Sequence, residues 1–282
     1  MVTAMDIKIV AILEVYNEEK RIGYTLDSLQ KFDDVIVFDK GSDDGTVDIA
    51  KKYNAKVYTI PLNDDKTDIE RGKIFKQAMR ETECEWMLLL TSSDIIHPDF
   101  YDKACQYICE SNVDVVEVPF YRYSMGFISK YSFYKALHYK DILLKKDVYR
   151  IDPDIHTMTK YSKGCRVGRM EDSNRQVAIY HLTHESLELI LERHLRYAKA
   201  EAACFPTREE GLYRTWRDIL RQIYLFIKLK TYKLGEKGKA QLCMLLFYRT
   251  AKYLNVYFDQ NTEDEIKRFY DEIRINKTNL KL

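Results

Sequence analysis

Asp34-Val35-Ile36-Val37-Phe38-Asp39-Lys40-Gly41-Ser42-Asp43-Asp44-Gly45-Thr46 is the stretch on which the fold turns. Its opening is a short apolar run rich in β-branched side chains, the pattern of a strand covered on both faces. The run breaks into a polar loop with two glycines, after which Val47, Ile49, Ala50 and Tyr53 have helical spacing. The same alternation recurs on either side. Upstream, Ile7 to Leu13 is another such strand, ending in Glu14-Val15-Tyr16-Asn17-Glu18-Glu19. Asn17 is the expected N-cap of the helix that follows, with acids in its first turn and Ile22, Leu26 and Leu29 turned inward. Downstream, Lys56 to Ile60 is a strand, Ile69 to Thr82 a helix, Trp86 to Leu90 a fully buried strand and Val113 to Phe120 a further strand.

Short apolar strands alternating with helices predict an α/β fold, a mostly parallel sheet with helices on both faces. In such sheets ligands bind beyond the carboxyl ends of the strands. Three polar strand ends qualify, Glu14 to Asn17, Asp39 to Thr46 and Thr91 to Asp94, and they are expected to converge. Beyond the sheet, helical periodicity runs through 186–206, 214–234 and 239–258, and a last helix from Glu263 to about Ile275 has Thr262 as N-cap and Glu265 completing a capping box. The chain thus reads as three segments, 1–120, 121–185 and a mostly helical C-terminal region 186–282.

Composition narrows the function classes. Among 282 residues, 45 Lys+Arg face 44 Asp+Glu, so the formal net charge is +1 and the surface as a whole is no polyanion-binding face. Aromatic residues at 13% and hydrophobic residues at 46% exclude a disordered chain. The charge is uneven: residues 1–150 hold 21 basic and 26 acidic side chains, and residues 151–282 hold 24 and 18, so the halves are expected to face different partners. Cys84, Cys105, Cys109, Cys165, Cys204 and Cys243 form no C-x-x-C pair or zinc-site spacing and read as reduced thiols. Neither a secretory leader nor a membrane-spanning apolar run is legible, which predicts a cytoplasmic protein, soluble or peripheral on the inner face of the membrane.

Tyr16-Asn17-Glu18-Glu19 after the first strand, and Val37-Phe38-Asp39-Lys40-Gly41-Ser42-Asp43-Asp44-Gly45-Thr46 after the second, resemble the family-2 glycosyltransferases of the GT-A (Rossmann-like) fold. Glu85-Trp86-Met87-Leu88-Leu89-Leu90 matches the strand that delivers the metal-binding Asp-x-Asp of that family. Further on, Tyr180-His181-Leu182-Thr183-His184-Glu185-Ser186-Leu187, with Arg193, Arg196-Tyr197, Glu201-Ala202 and Tyr232-Lys233-Leu234-Gly235, is similar to bacterial lipopolysaccharide-core glucosyltransferases, whose acceptor is a membrane-associated glycolipid. The resemblance implies an inverting enzyme that moves a sugar from a nucleotide-diphosphate sugar, UDP-linked in the common case, to a hydroxyl of a cell-envelope glycan or glycolipid. Residues 1–120 would bind the donor, 121–185 would carry acceptor-side and catalytic groups, and 186–282 would present the acceptor.

By that resemblance Asp39 would hold the nucleoside, although an Asp beside Gly also caps its own loop. Val15, Asn17, Glu18, Ser42 and Ser93 would line the same pocket. Arg71 and Lys73 would stabilise the leaving diphosphate, or stand as ordinary exposed helix charges. The general base that deprotonates the acceptor would come from Asp154 beside His156, or from Asp172 in Glu171-Asp172. One departure stands out: Thr91-Ser92-Ser93-Asp94 occupies the place of Asp-x-Asp, and hydroxyls are poor ligands for Mg²⁺ or Mn²⁺. Either Asp94 reaches a metal through a local shift, or basic side chains neutralise the diphosphate without metal, or the protein binds a sugar nucleotide without turning it over. Between Arg193 and Lys239, 12 basic and 5 acidic residues interleave with Trp216, Tyr224, Phe226 and Tyr232. A basic amphipathic helix around 214–233 fits an anionic membrane surface, a nucleic-acid backbone with a hydroxylated base as acceptor, or a solvated helix face.

Overall fold

A computed structural model describes residues 4–60, 67–134, 137–150, 160–171 and 177–275. The chain divides into two compact units, one formed by Met1–Tyr123 with Ala136–Thr183 and the other by Ser124–Lys135 with His184–Leu282.

The first unit is an α/β sheet. Its strands are β1 (Ile9–Val15), β2 (Asp34–Asp39), β3 (Lys56–Thr59), β4 (Trp86–Thr91), β5 (Asp94–Ile96), β6 (Val115–Ser124), β7 (Leu137–Lys145), β8 (Tyr149–Arg150), β9 (Lys160–Tyr161), β10 (Val167–Arg169) and β11 (Ile179–Thr183). Its helices are α1 (Ile22–Asp27), α2 (Thr46–Lys52), α3 (Thr67–Arg80) and α4 (Phe100–Glu110). Among the described residues nine strands form one sheet in the order β3-β2-β1-β4-β7-β6-β11-β5, with β10 beside β6, while β8 and β9 make a separate ribbon. β1 is the spine. Ile9, Val10, Ala11, Ile12, Leu13 and Val15 are all buried, because helices cover both faces of a parallel sheet. Each of the Ile, Val and Leu side chains contributes ~1.5–3 kcal/mol by leaving water, which is why the apolar runs were readable.

Pairing places the strand ends. β1 lies parallel to both β2 and β4, with Val15 opposite Asp39 and Glu14 opposite Thr91. The remaining half of the sheet is mixed: β7 runs antiparallel to β4 and β6, and β11 antiparallel to β5. The antiparallel returns were not expected from the sequence. Leu137-His138-Tyr139-Lys140-Asp141 opens β7 with half-buried residues rather than a continuous apolar run.

The second unit carries α5 (Leu187–Ala203), α6 (Arg208–Lys228), α7 (Glu236–Tyr257) and α8 (Gln260–Ile275). Ser186 caps α5 by accepting from Leu189 N at 3.3 Å, and Thr207 caps α6 by accepting from Glu210 N at 3.2 Å. That cap starts α6 six residues before the expected 214, and the helix stops at Lys228 because Lys230 turns left-handed at φ 58°; Thr231–Leu234 is a separate 3-10 turn. α8 likewise starts earlier than the sequence suggested, with Asp259 Oδ1 rather than Thr262 in the capping role, accepting from Thr262 N at 2.9 Å. Gly211 lets α6 approach α7 closely, since a Cβ there would lie 2.8 Å from Val256 Cγ1. Ser124–Lys135 packs within this unit through the buried Ser132–Gln241 pair (3.0 and 3.1 Å) and a 2.8 Å bond from Thr231 Oγ1 to the Tyr131 carbonyl.

Candidate active site

The loops after β1 and β2 are stitched to each other by side chains. Asn17 N donates to Ser42 Oγ at 2.9 Å and Glu18 N to Thr46 Oγ1 at 2.7 Å. The Asn17 amide makes both of its bonds to Asp43, Nδ2 to Oδ1 at 2.7 Å and Oδ1 from the Asp43 N–H at 3.1 Å. Glu19 and Asp44 close the seam, Glu19 N reaching Asp44 Oδ2 at 3.1 Å and Gly45 N reaching Glu19 Oε2 at 2.9 Å. Burial works against the Asp44 carboxylate, yet bonds from Thr46 and Glu19 N hold its pKa below the ordinary value. Asn17 has φ 53°, a left-handed conformation that Asn tolerates. It is therefore not the N-cap of α1, which begins five residues later at Ile22; Asn17 serves instead as the bridge between two strand ends.

Asp39 ends β2 and is 3% exposed. Its carboxylate accepts from Gly41 N at 3.1 Å, from Ser42 N at 3.1 and 3.3 Å, and from Ser42 Oγ at 2.6 Å. Gly41, at φ 82°, makes that tight return feasible. Thus Asp39 performs the loop-capping role that the sequence left open beside nucleoside binding. Val15 is buried, and its carbonyl accepts from Lys40 N at 3.0 Å, fixing the distance between the two strand ends.

The third strand end joins through Arg21. This guanidinium, on a residue only 7% exposed, donates from Nε (3.0 Å) and Nη2 (2.6 Å) to Glu18 Oε2, and Nη2 also reaches Ser92 Oγ at 3.4 Å. Thr25 Oγ1 on α1 donates to the Ser92 carbonyl at 3.0 Å. The convergence expected of the three polar strand ends is therefore built of specific bonds, with Arg21 as the keystone. The sequence offers no signal for it, because Lys20-Arg21 after two glutamates reads as a solvated charge run.

At Thr91-Ser92-Ser93-Asp94 the ligand set does not suit a divalent cation. Ser92 and Ser93 are buried. Asp94, 2% exposed, spends one oxygen on Thr91 N (2.7 Å) and Thr91 Oγ1 (3.0 Å) and the other on His181 Nδ1 (2.7 Å). Among the described residues no group of three His, Cys, Asp or Glu side chains is arranged to hold a metal ion. Burial lowers the pKa of His181, opposed by its bond to Asp94. No sequence argument gave His181 a role; its register opposite Asp94 in the β11–β5 pair is what brings it there.

Other expected site residues fall elsewhere. Lys73 is exposed on α3, and Arg71 lies on the same helix with its side chain outside the described residues. Asp154, His156 and Asp172 also lie outside the described residues. The second unit's α6 leaves Tyr213, Trp216, Leu220, Ile223, Tyr224 and Ile227 exposed, with Arg217 over Tyr213 and Lys228 over Tyr224. Among the described residues no helix is long and apolar enough to cross a membrane.

Residues 11–174, more than half of the chain, match the model of the family described as Glycosyl transferase family 2. Among curated proteins, the poly(ribitol-phosphate) beta-N-acetylglucosaminyltransferase TarS of Staphylococcus aureus (strain Mu50 / ATCC 700699) is 33% identical over 119 residues, covering 39% of this chain and 20% of TarS. The match thus spans about a fifth of the length of that relative. Among solved structures, S. aureus TarS 1–349 aligns at TM-score 0.44 with 19% identity, covering 93% of this chain and 92% of that one. Glucosyl-3-phosphoglycerate synthase of Mycobacterium tuberculosis, in complex with Mn²⁺ and uridine-diphosphate-glucose, aligns at TM-score 0.33 with 22% identity over 42% of this chain and 45% of that one. The likeness of 180–235 to lipopolysaccharide-core enzymes rests on the sequence resemblance alone.

Proposed function

Since the chain belongs to glycosyl transferase family 2 and is a glycosyltransferase, we propose that it takes a UDP-linked sugar as donor and transfers it with inversion to a hydroxyl of a cell-envelope polymer. The observation that carries this reading is the bonded seam between the loops after β1, β2 and β4, which builds a polar rim at the carboxyl ends of three parallel strands. The nucleoside would sit against Asp39, Ser42 and Asn17, with the diphosphate toward Ser93. Asp154, His156 or Asp172 would take the acceptor proton as the sugar is displaced in line. TarS acts on poly(ribitol-phosphate), and an anionic polyol-phosphate acceptor agrees with the 12 basic and 5 acidic residues between Arg193 and Lys239. The exposed aromatic and basic face of α6 also favours work at an anionic membrane surface.

A panel of nucleotide sugars screened by thermal shift tests the donor. A ligand at a hundred times its Kd stabilises the fold by ~2.7 kcal/mol, so a UDP-sugar should raise the midpoint and leave GDP- and CDP-sugars without effect. Asp39→Asn, which retains one acceptor for the loop and loses the other, should abolish the shift, with a far-UV circular-dichroism spectrum matching the parent as the check that the variant is folded. A panel in which no UDP-sugar moves the midpoint removes the donor assignment.

A further inference from the structure

The sheet face around Asp94 collects positive charge. Lys140 on β7 places Nζ 3.7 Å from the centroid of the Phe120 ring, and Phe120 on β6 is fully buried. The same ring lies 5.2 Å from His181 and 4.9 Å from His138. Arg122, two residues beyond Phe120 on β6 and so on the same face, is within electrostatic range of both Lys140 and His181. Asp94 is the acid that acts on both Lys140 and His181, and Asp141, the neighbour of Lys140, has its own carboxyl pushed up by burial. Among the described residues Lys140 has no carboxylate within 4.0 Å; its ammonium lies over the Phe120 ring, and Asp94 and Asp141 act on it from farther away. Burial lowers its pKa. A half-buried cation without a carboxylate in contact is costly in a folded protein. It becomes favourable once an anion arrives, and the position is specific: Thr91 and Ser93 stand where the resemblance puts the two acids of Asp-x-Asp, and Asp94, the residue after them, is bonded to Thr91.

We propose that the Lys140 ammonium, with the Arg122 guanidinium beside it, binds the diphosphate of the donor and supplies at the end of β4 the positive charge for which this chain lacks a metal-binding carboxylate pair. The inference rests on the reading of the donor as a sugar nucleotide. During transfer the bond from the anomeric carbon to the β-phosphoryl oxygen breaks with its electron pair going to that oxygen. The acceptor oxygen bonds to the carbon, and its proton leaves to a base. The charge gathering on the departing diphosphate is what a fixed ammonium stabilises. Phe120 holds the cation in place, and Asp94, committed to Thr91 and His181, stays out of contact with it.

Calorimetric titration of the full chain with UDP, uridine and ribitol 5-phosphate, in EDTA and in Mn²⁺, tests this. UDP should bind in EDTA within a few-fold of its affinity in Mn²⁺. Lys140→Met should weaken UDP about 10- to 100-fold, the worth of a charged hydrogen bond, and leave uridine unchanged, while Lys140→Arg should retain most of the UDP affinity. A circular-dichroism melt matching the parent confirms that the Met variant folds, and the Arg variant keeps the test alive if it does not. UDP binding that requires Mn²⁺, or that survives Lys140→Met, overturns the proposal. Loss of ribitol 5-phosphate with UDP intact also overturns it, by assigning the cation to the acceptor. If a different nucleoside diphosphate binds in EDTA and depends on Lys140, the uridine assignment fails and the cation assignment stands. If neither UDP nor uridine nor any other nucleotide binds, both fail.

Discussion

Replacing Arg21 with Met tests whether one buried guanidinium holds three strand ends together. In the folded chain Arg21 and Glu18 have side chains 8% and 13% exposed and meet at 2.6 Å. Removing the cation takes this ion pair from the Glu18 carboxylate in a site that excludes most water, and breaking a buried pair from one side costs ~3–5 kcal/mol. Glu18 keeps some solvent, and the Ser92 contact at 3.4 Å is long, so ~2–4 kcal/mol is the expected loss. With a urea slope of ~2–3 kcal/mol/M, the unfolding midpoint should fall by roughly 1 M. The chain has two tryptophans; Trp86 is 2% exposed in the core of the sheet unit and Trp216 is 54% exposed on α6. A Trp216→Phe background therefore isolates Trp86 fluorescence as the report from the sheet. The double variant Arg21→Met with Glu18→Gln should recover most of the loss, because both charges leave together. A single variant whose midpoint stays within ~0.2 M of the parent, equivalent to about 0.5 kcal/mol, would refute the keystone role of Arg21.

Acid should act on the sheet unit through Asp114. Its carboxylate accepts from Arg166 N (3.1 Å), Nε (2.9 Å) and Nη2 (2.8 Å) and from Lys145 Nζ (3.0 Å), and these bonds hold its pKa far below the usual carboxylate range. A depressed folded-state pKa adds stability that is complete above the unfolded value near ~3.9 and is lost as pH falls through the folded value. The Trp86 melting midpoint should decline on acidification below about pH 4, and Asp114→Asn should be less stable at neutral pH with a shallower decline. In the helical unit, Gly211→Ala should cost ~1–3 kcal/mol through overpacking against Val256 and Phe205, read as an earlier loss of far-UV helical signal. An unchanged melt would mean that α6 and α7 tolerate the extra methyl.

Legibility followed burial. β1, β2 and β4 could be read because both of their faces are covered, which forces nearly every residue to be apolar. β7 and β11 escaped because their half-buried faces mix Tyr, His, Lys and Asp with aliphatic residues, a pattern shared with exposed loops. Site polarity was legible as loops but not as bonds. Ser42, Thr46 and Asp44 stood out as turn residues, whereas their crossing onto residues 17–19 depends on a register that only the folded sheet supplies. Arg21 and Lys140 were invisible for one reason: a basic residue beside other charged residues is the commonest surface motif, and nothing local distinguishes the instance that turns inward. The Asp-x-Asp departure, by contrast, was plain in the letters, and the bonds made by Asp94 give it physical content.

The excursion Ser124–Lys135 bears on how the polypeptide can be cut. The chain leaves the sheet unit after Tyr123, returns at Ala136 and leaves again after Thr183. A fragment ending at Thr183 would retain those twelve residues while losing Gln241, Thr231, Phe226 and His184, which meet Ser132, the Tyr131 carbonyl, Phe133 and Ser124 in the intact chain. Excision for crystallography or fusion would therefore demand a designed splice joining 123 to 136, because no single scissile peptide bond separates the halves into self-sufficient pieces.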